Sequence, residues 1–465
     1  MITAELIESL RTSIHGEMIL PSNATYDSMR KVYNGMIDRH PAMIIRCKDA
    51  QDVIVCVNFA RKNNLRLAVR GGGHNAAGLG VCDDGLVIDL SLMNDIQVNA
   101  VDKTVRAGGG CLLRQLDAAT HEAGMAVPLG ILGTTGIAGL TLGGGLGYLT
   151  RRYGLTIDNL LEATVVVADG RLLTASPSRN PDLFWALRGG GGNFGVVVSF
   201  LYKLHPVNII YGGPMLWHLE ETRERMKWFR DFITNAPDDI YGFFALLTVP
   251  PVEPFPANLH LKKMCGIVWC YTGDPQQGEE VFKPIRANKA PALDFVGTME
   301  YTTLQTMFDS LYPSGMQWYW KADFAYELPE EAIALHEKYG GEMPTVQSTM
   351  HLYPINGAAG RVSNEATPWN FRDAAWAQVI VGVEPDPLNR DKIITWAKDY
   401  WNAVHPFAAG GAYINFMMEE GDERIRATYG TNYDRLSTIK AKYDPENLFR
   451  VNQNIGPKVT TSTAI

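Results

Sequence analysis

Three glycine-rich segments, each beside an apolar run, constrain the fold of this chain more than any other feature. Residues 70–75 read Arg-Gly-Gly-Gly-His-Asn and follow the apolar run Leu65–Val69, which predicts a buried strand. Residues 130–147 contain eight glycines interleaved with aliphatic residues, and residues 189–195 contain five more. Because glycine has no side chain, its backbone N–H groups can approach a flat or anionic ligand closely. We therefore predict ligand-binding loops, since a linker would be polar.

Composition and charge exclude several classes of protein. The chain has 465 residues, of which 46% are hydrophobic and 20% charged, as in two-domain globular proteins. A net charge of −8 argues against nucleic acid or an anionic membrane as a partner. There is no signal-peptide pattern, and the six cysteines form no CxxC pair, which favours a reduced, cytoplasmic protein. The histidines lack metal-ligand spacing, so we predict no metal site.

The first 207 residues alternate short apolar runs with glycine turns and a helix at 112–123, which predicts an α+β fold with at least two small sheets. The predicted strands are Leu65–Val69, Leu86–Leu90, Ile96–Val98, Val105–Ala107, Leu161–Val167 and Leu172–Thr174.

The segment 208–411 is richer in aromatic residues and predicts an antiparallel sheet covered by helices. Its predicted strands are Gly242–Val249, Gly266–Tyr271, Gln317–Ala325, Ser348–Tyr353 and Ala377–Val383. Four tryptophans of this segment either line a substrate pocket or belong to the core: Trp217, Trp269, Trp318 and Trp320. The remaining residues, 412–465, are predicted to return to the first domain.

No glycine-rich segment matches either of the two commonest nucleotide-binding motifs, the P-loop and the Rossmann fingerprint. None contains the Gly-Lys-Ser/Thr of a P-loop, and none opens a βαβ unit with an acidic residue about 20 positions later. These absences argue against a kinase-like or nicotinamide-binding Rossmann domain.

Five motifs in one order resemble a known family. They are residues 70–75, 136–147, 153–159 (Tyr-Gly-Leu-Thr-Ile-Asp-Asn), 183–195 and 443–455. Together they resemble the berberine bridge enzyme-like flavoproteins of the vanillyl-alcohol oxidase/p-cresol methylhydroxylase superfamily. The bacterial members, such as 6-hydroxy-D-nicotine oxidase, are more similar than the plant members. The resemblance implies a two-domain α+β fold, with an FAD-binding domain formed by 1–207 and 412–465 and a substrate domain at 208–411.

The resemblance also implies that His74 is bonded to the 8α-methyl carbon of FAD. Many members carry a second bond from a cysteine whose matching position here is Leu132, so we expect His74 to be the single covalent link. Thr135 matches an aliphatic residue thought to control access of dioxygen. The residues expected to bind FAD are Arg70, Gly71, Gly72, Gly73, His74, Asn75, Gly78, Leu132, Thr134, Thr135, Gly136, Gly139, Gly143, Gly144, Gly145, Gly147, Asp158, Asn159, Gly192, Asn193, Gly195, Val196, Val197, Asn452 and Asn454.

A flavin oxidoreductase needs a base that takes a proton from the substrate while a hydride passes to flavin N5. Residues 411–416 resemble the family's Tyr-x-Asn-aromatic element, which implies Tyr413 as a candidate, with Lys321 as a neighbouring cation that would lower its pKa. His351, on the predicted strand 348–353, is the rival candidate. For each, a half-buried polar residue without a catalytic role is the alternative.

The expected reaction takes a hydride from a carbon bearing a hydroxyl or amine of a small organic substrate and reduces dioxygen to hydrogen peroxide. A dehydrogenase with another electron acceptor and a non-catalytic flavin-binding protein are the alternatives. The sequence does not determine the oligomeric state, and a homodimer is one possibility.

Overall fold

The structure is a computed structural model and describes residues 3–458. Within that range, no helix combines the length and the apolar character needed to cross a membrane. The described residues form three sheets, with helices packed between and around them.

The first sheet is small and mostly parallel. Its strands are β1 (Glu17–Ile19), β2 (Met43–Arg46), β3 (Leu67–Arg70) and β4 (Leu86–Asp89), in the order β1-β2-β4-β3. Only β1 is antiparallel to its neighbour. Strands β2 and β4 are apolar and buried on both faces, as parallel strands require. The accompanying helices are α1 (Ala4–Thr12), α2 (Tyr26–Met29) and α3 (Ala50–Lys62).

Helix α3 begins where a side chain satisfies its free backbone donors. The carboxylate of Asp49 accepts a hydrogen bond from the Asp52 backbone N–H, so Asp49 is the N-cap of the helix. This helix carries the chain from β2 to β3, so the first glycine-rich segment emerges at the carboxyl end of a buried parallel strand.

The second sheet is antiparallel and five-stranded. Its strands are β5 (Ile96–Asn99), β6 (Thr104–Gly108), β7 (Leu160–Val166), β8 (Leu172–Ala175) and β9 (Val196–Lys203), in the order β5-β6-β9-β7-β8. The helices between them are α4 (Leu113–His121), α5 (Ile137–Leu142), α6 (Thr150–Tyr153) and α7 (Pro181–Leu187). Glycine disfavours helix interiors, yet the second glycine-rich segment, 130–147, contains the helix α5. Gly136 and Gly143 lie at its two ends, outside the helical residues, and only Gly139 is inside.

The third sheet is antiparallel, as predicted for the middle of the chain, and has eight strands. They are β10 (Ile209–His218), β11 (Ile240–Thr248), β12 (Lys263–Tyr271), β13 (Leu293–Asp294), β14 (Gly297–Glu300), β15 (Gln317–Ala325), β16 (Thr349–Pro354) and β17 (Trp376–Glu384). The order is β13-β10-β12-β11-β16-β17-β15, and β14 also pairs with β10. The helices of this part are α8 (Thr222–Asn235), α9 (Gly278–Asn288), α10 (Tyr301–Thr306), α11 (Glu330–Gly341) and α12 (Arg390–Val404).

The two faces of this sheet belong to different cores. Side chains such as Ile267 and Trp269 pack with Phe229 of α8 in one cluster. Their alternate neighbours, such as Val268, belong to a larger cluster shared with the second sheet. Because side chains alternate along a strand, one face of the sheet is available to form a site with the glycine-rich segments.

The C-terminal segment returns to these segments through α13 (Asp422–Tyr429) and α14 (Tyr433–Tyr443). The Lys440 ammonium on α14 is fully buried, pairs with Asp444 at 2.6 Å and donates to the carbonyls of Asn193 and Phe449. The α+β fold class is confirmed. The second sheet ends at Lys203 and the third begins at Ile209, while the domain boundaries at 207 and 411 stay predictions.

Candidate functional site

A cavity of about 310 Å³ lies between the glycine-rich segments and the third sheet. All three segments line it, together with side chains of β15, β16 and β17 and the C-terminal residues 413–416, 449 and 451–453. The cavity therefore combines a backbone-lined wall with an aromatic wall that includes Trp318, Trp320 and Tyr353.

The first two glycine-rich segments touch backbone to backbone. A Cβ on Gly72 would lie 2.5 Å from the Gly136 nitrogen, and a Cβ on Gly136 would lie 2.3 Å from the Gly72 nitrogen. Neither position tolerates a side chain, because the atom in the way is backbone that cannot rotate aside. The two glycines thus allow the two segments to approach this closely at the cavity.

Other glycines face open space. A Cβ on Gly139 or Gly192 would meet no atom within 4 Å, and both residues line the cavity. Here the missing side chain leaves room for a ligand that approaches the backbone. Sequence alone did not separate these ligand-facing glycines from the packing glycines.

The imidazole of His74 is held against the cavity by an aromatic ring. It stacks on Tyr33 with ring centroids 3.8 Å apart and an interplanar angle of 20°. Its Nε2 is buried and has no hydrogen-bond partner among the described residues. Burial lowers the pKa of His74 to about 4, so the ring is neutral at pH 7. A neutral, unpartnered ring nitrogen has the chemistry of a nucleophile.

Comparisons with known proteins agree with this arrangement. The FAD binding domain family matches residues 41–176, and the berberine and berberine-like family matches residues 412–456. FAD-linked oxidoreductase fogF of Aspergillus ruber is 31% identical over 434 residues, which cover 87% of this chain and 84% of that protein. The chain belongs to the berberine bridge enzyme-like FAD-linked oxidoreductases.

Two further relatives support the same assignment. (R)-6-hydroxynicotine oxidase of Paenarthrobacter nicotinovorans is 29% identical, over 96% of this chain and 98% of that protein. The crystal structure of 6-hydroxy-D-nicotine oxidase from Arthrobacter nicotinovorans has a TM-score of 0.85 and 26% identity, and covers 96% of this chain and 99% of that chain.

The cavity of this FAD-linked oxidoreductase fits its cofactor. FAD is flat at the isoalloxazine and anionic at the pyrophosphate, and the walls offer open glycine backbone and a neutral histidine for these parts. The side-chain oxygen of Asn452, which lines the cavity, is buried without a partner among residues 3–458, as a group that awaits a ligand would be.

More than half of the predicted FAD-binding residues line the cavity. They are Arg70, Gly71, Gly72, Gly73, His74, Asn75, Leu132, Thr135, Gly136, Gly139, Gly192, Gly195, Val197 and Asn452. Arg70 has its guanidinium in an ion pair with Asp89 at 2.6 Å, so it anchors the segment and is not free to pair with a phosphate.

The other predicted FAD-binding residues lie outside the cavity lining. They are Gly78, Thr134, Gly143, Gly144, Gly145, Gly147, Asp158, Asn159, Asn193, Val196 and Asn454. Several of them are tied to other parts of the chain instead. A Cβ on Gly144 would lie 2.3 Å from the Trp369 ring, and one on Gly145 would lie 2.0 Å from the Thr156 hydroxyl.

Three polar members of that group, Asp158, Asn159 and Asn193, have partners within the protein. Both carboxylate oxygens of Asp158 accept hydrogen bonds from the Arg372 guanidinium at 2.7 Å. The Asn159 side-chain oxygen is 2.6 Å from His205 Nε2, and the Asn193 side chain bonds to the backbone of Gln453 and Ile455. These three residues hold loops together, and the motif that contains them did not distinguish that role from ligand binding.

Of the three candidate bases, Tyr413 and His351 line the cavity and Lys321 does not. Lys321 lies on β15 next to Trp320 and points to the opposite face, where its ammonium is 3.2 Å from Glu420 and 4.6 Å from the centre of the Trp401 ring. The prediction that Lys321 lowers the pKa of Tyr413 is therefore wrong. Because side chains alternate along a strand, Trp320 faces the cavity and Lys321, the next residue, lies on the other side of the sheet.

The Tyr413 phenol accepts hydrogen bonds from the Gly145 N–H at 2.9 Å and the Asn415 amide at 2.7 Å. Burial nevertheless raises its pKa to about 12, so Tyr413 is a neutral phenol at pH 7. Burial lowers the pKa of His351 to about 4, and its ring is therefore neutral and able to accept a proton.

His351 has a partner that sequence reasoning missed. Its Nδ1 lies 2.7 Å from the Tyr353 hydroxyl, and both side chains line the cavity. The predicted strand at 348–353 contained the signal, since residues two apart share a face. Tyr33 lay outside every motif and had no such signal. Of the four tryptophans, Trp318 and Trp320 line the cavity, while Trp217 and Trp269 are core residues of the third sheet.

One group of possible metal ligands lies together in the described part of the chain: His15, Asp49 and Asp52. Its carboxylates already accept hydrogen bonds. Asp52 accepts from the backbone N–H groups of His15 and Lys48, and Asp49 accepts from Asp52 and contacts the His15 ring at 2.7 Å. These three residues lie together because they stabilise the start of α3, which accounts for the cluster without a metal ion.

Proposed function

We propose that this FAD-linked oxidoreductase removes a hydride from a carbon bearing a hydroxyl or amine of a small organic substrate and passes the electrons to dioxygen, which becomes hydrogen peroxide. The observation that carries this proposal is His74, a neutral imidazole with an unpartnered nitrogen at the glycine-lined cavity. Bound there, the flavin supplies a two-electron acceptor at N5.

We propose His351 as the base. A neutral imidazole can take the proton of the substrate O–H or N–H as the hydride leaves the neighbouring carbon. In the tautomer whose Nδ1–H donates a hydrogen bond to the Tyr353 oxygen, Nε2 has the free electron pair that accepts the substrate proton. Tyr353 is then a positioning residue that holds the ring of His351 in place.

Tyr413 is better suited to a structural role than to the role of the base. Its phenol is neutral at pH 7, and its oxygen already accepts two N–H bonds. One of these comes from Gly145 in the second glycine-rich segment, so Tyr413 ties the C-terminal segment to that loop.

A single covalent link through His74 is part of the proposal. Leu132 lines the cavity where many relatives have a cysteine. All six cysteines are buried, and within residues 3–458 none of them lines the cavity. Cys111, the nearest to this loop along the chain, therefore offers no second attachment point.

The covalent link is tested by denaturing the holoprotein and looking for flavin fluorescence that stays with the polypeptide on a gel. We expect fluorescence from the natural protein, none from His74→Ala and unchanged fluorescence from the matched control Leu132→Ala. Retained fluorescence in His74→Ala would show that another residue holds the flavin.

The use of dioxygen is tested by stopped-flow reoxidation of the reduced protein in air-saturated buffer. Fast reoxidation with formation of hydrogen peroxide supports an oxidase. Slow reoxidation together with fast electron transfer to a quinone would instead make the protein a dehydrogenase. Thr135 lines the cavity and is the residue to vary in either case.

A further inference from the structure

A second cavity, of about 130 Å³, adjoins the first at His351. We call it the apolar chamber, and its walls include Leu216, Phe243, Leu247, Phe255 and Phe308. His351, Leu132 and Thr349 line both cavities, so the two spaces meet beside the proposed base. Residues of β10, β11 and β12 form part of its remaining wall.

The lining of the chamber selects against polar ligands. In the part of the chain that the structure describes, no charged side chain lines it. Its polar side chains are those of Thr248, Tyr312, Gln347, Thr349 and His351. The Thr349 hydroxyl already donates to the Leu246 carbonyl at 2.7 Å, and the Thr248 hydroxyl has no partner among the described residues. A sugar ring placed here would leave several hydroxyls without partners, which costs free energy. An alkyl chain or aromatic ring would lose no hydrogen bonds and would gain apolar contact.

We propose that the substrate carries a neutral apolar group that occupies this chamber while its oxidisable C–H lies beside His351. The inference rests on the proposed function and adds the substrate class. An apolar protein cavity of about 150 Å³ is known to hold benzene. The chamber therefore accepts a group of roughly six carbons.

The test is isothermal titration calorimetry of the holoprotein with straight-chain primary alcohols from ethanol to octanol. Each added methylene should tighten binding by about fourfold until the chamber is full, and affinity should then level off near hexanol. Glucose at the same concentrations should bind more weakly than hexanol.

Two variants locate the effect. Leu247 is half-buried in the chamber wall, so Leu247→Glu places a charge there and should weaken hexanol binding by roughly tenfold or more without changing ethanol binding. Leu388→Glu, at a position that is 91% exposed, is the matched control and should leave both affinities unchanged. Ala245→Leu adds about three carbons to the wall and should move the plateau to shorter alcohols.

The outcomes separate this inference from the function on which it rests. Three results would each overturn the chamber proposal. They are an affinity that does not change with the length of the alcohol, tighter binding of glucose than of hexanol, and equal effects of Leu247→Glu and Leu388→Glu on hexanol binding. Chain-length-dependent binding together with no flavin reduction by any alcohol or amine would support the chamber and contradict the proposed oxidation. The flavin spectrum of each variant reports whether it has folded around its cofactor.

Discussion

Tyr33 stacks on His74 with ring centroids 3.8 Å apart, and the Tyr33 hydroxyl donates a hydrogen bond of 2.7 Å to the Tyr312 carbonyl. The ring of Tyr33 also lies 5.0 Å from Trp318, a residue of the aromatic wall. The segment between α2 and β2 is thereby attached to the aromatic wall of the cavity. Through Tyr33, this segment holds the His74 imidazole in one orientation.

Tyr33→Ala should reduce covalent flavin attachment, because the imidazole loses the ring that orients it. An aromatic pair contributes about 0.5–1.5 kcal/mol, so the rate of attachment should fall about two- to tenfold. Attachment is followed as fluorescence retained after denaturation of apoprotein incubated with FAD. Tyr33→Phe keeps the ring and is the control. Equal losses in both variants would assign the effect to the hydroxyl.

The two kinds of glycine should respond differently to alanine. Gly72→Ala puts a Cβ against the Gly136 nitrogen and should destabilise the apoprotein by about 1–3 kcal/mol. Gly139→Ala has free space and lies in α5, so the apoprotein should keep or gain up to about 1 kcal/mol while flavin loading falls. Thermal unfolding of apoprotein and flavin content of holoprotein are the two measurements. Normal loading in Gly139→Ala would show that no cofactor approaches this backbone.

The buried pair of Asp158 and Arg372 should be a large determinant of stability. Asp158→Ala leaves the Arg372 guanidinium buried without its partner, and we expect a loss of about 3–5 kcal/mol. The double variant Asp158→Ala/Arg372→Met should recover part of that loss. Asp238→Ala breaks an exposed pair with Arg361 and should cost at most about 1 kcal/mol. Equilibrium unfolding in urea measures all three, and a loss in Asp158→Ala as small as in Asp238→Ala would contradict the prediction.

Asp117 should make stability depend on pH. Its carboxylate accepts a hydrogen bond from Gln305 at 3.0 Å between α4 and α10, and burial raises its pKa to about 7. The folded protein thus binds a proton that the unfolded chain releases near pH 4. This contribution to stability is complete below pH 4 and is lost as the pH rises toward 7.

Asp117→Asn mimics the protonated carboxyl and should remove that part of the pH dependence. The midpoint of thermal unfolding of the variant should exceed that of the natural protein increasingly from pH 4 to pH 7. Parallel midpoint curves for the two proteins would show that Asp117 does not titrate in this range.

Catalysis should depend on His351 more than on Tyr413. His351→Gln should slow anaerobic flavin reduction by about 10²–10⁴-fold, the range for loss of a positioned base, while Tyr413→Phe should have a smaller effect. His351 acts as a base only when unprotonated, and its pKa is about 4. The rate of flavin reduction should therefore be constant from pH 5 to 8 and should decrease below pH 5.

Tyr353→Phe tests the positioning role. It removes the hydrogen-bond partner of Nδ1 and should lower the rate of flavin reduction while leaving the flavin content unchanged. If Tyr413→Phe and not His351→Gln abolishes reduction, the assignment of the base is reversed.

Much of the fold followed from local patterns. The apolar run at 65–69 predicted a strand that the structure shows at Leu67–Arg70, and the aromatic run at 317–325 predicted β15 with the same bounds. These succeeded because burial of one face imposes a period that the chain itself displays. The first glycine-rich segment with His74 likewise predicted a ligand cavity from residues adjacent in sequence.

The roles of individual residues depended on contacts between distant parts of the chain. Whether a glycine faces a ligand or a neighbour is decided by what lies beyond its missing Cβ: open cavity for Gly139, but the Trp369 ring for Gly144. Asp158 looked like a ligand-binding residue until Arg372, 214 positions away, was found beside it. Local patterns report burial and backbone freedom, but packing between distant segments decides which polar groups are already paired and which are left for a ligand.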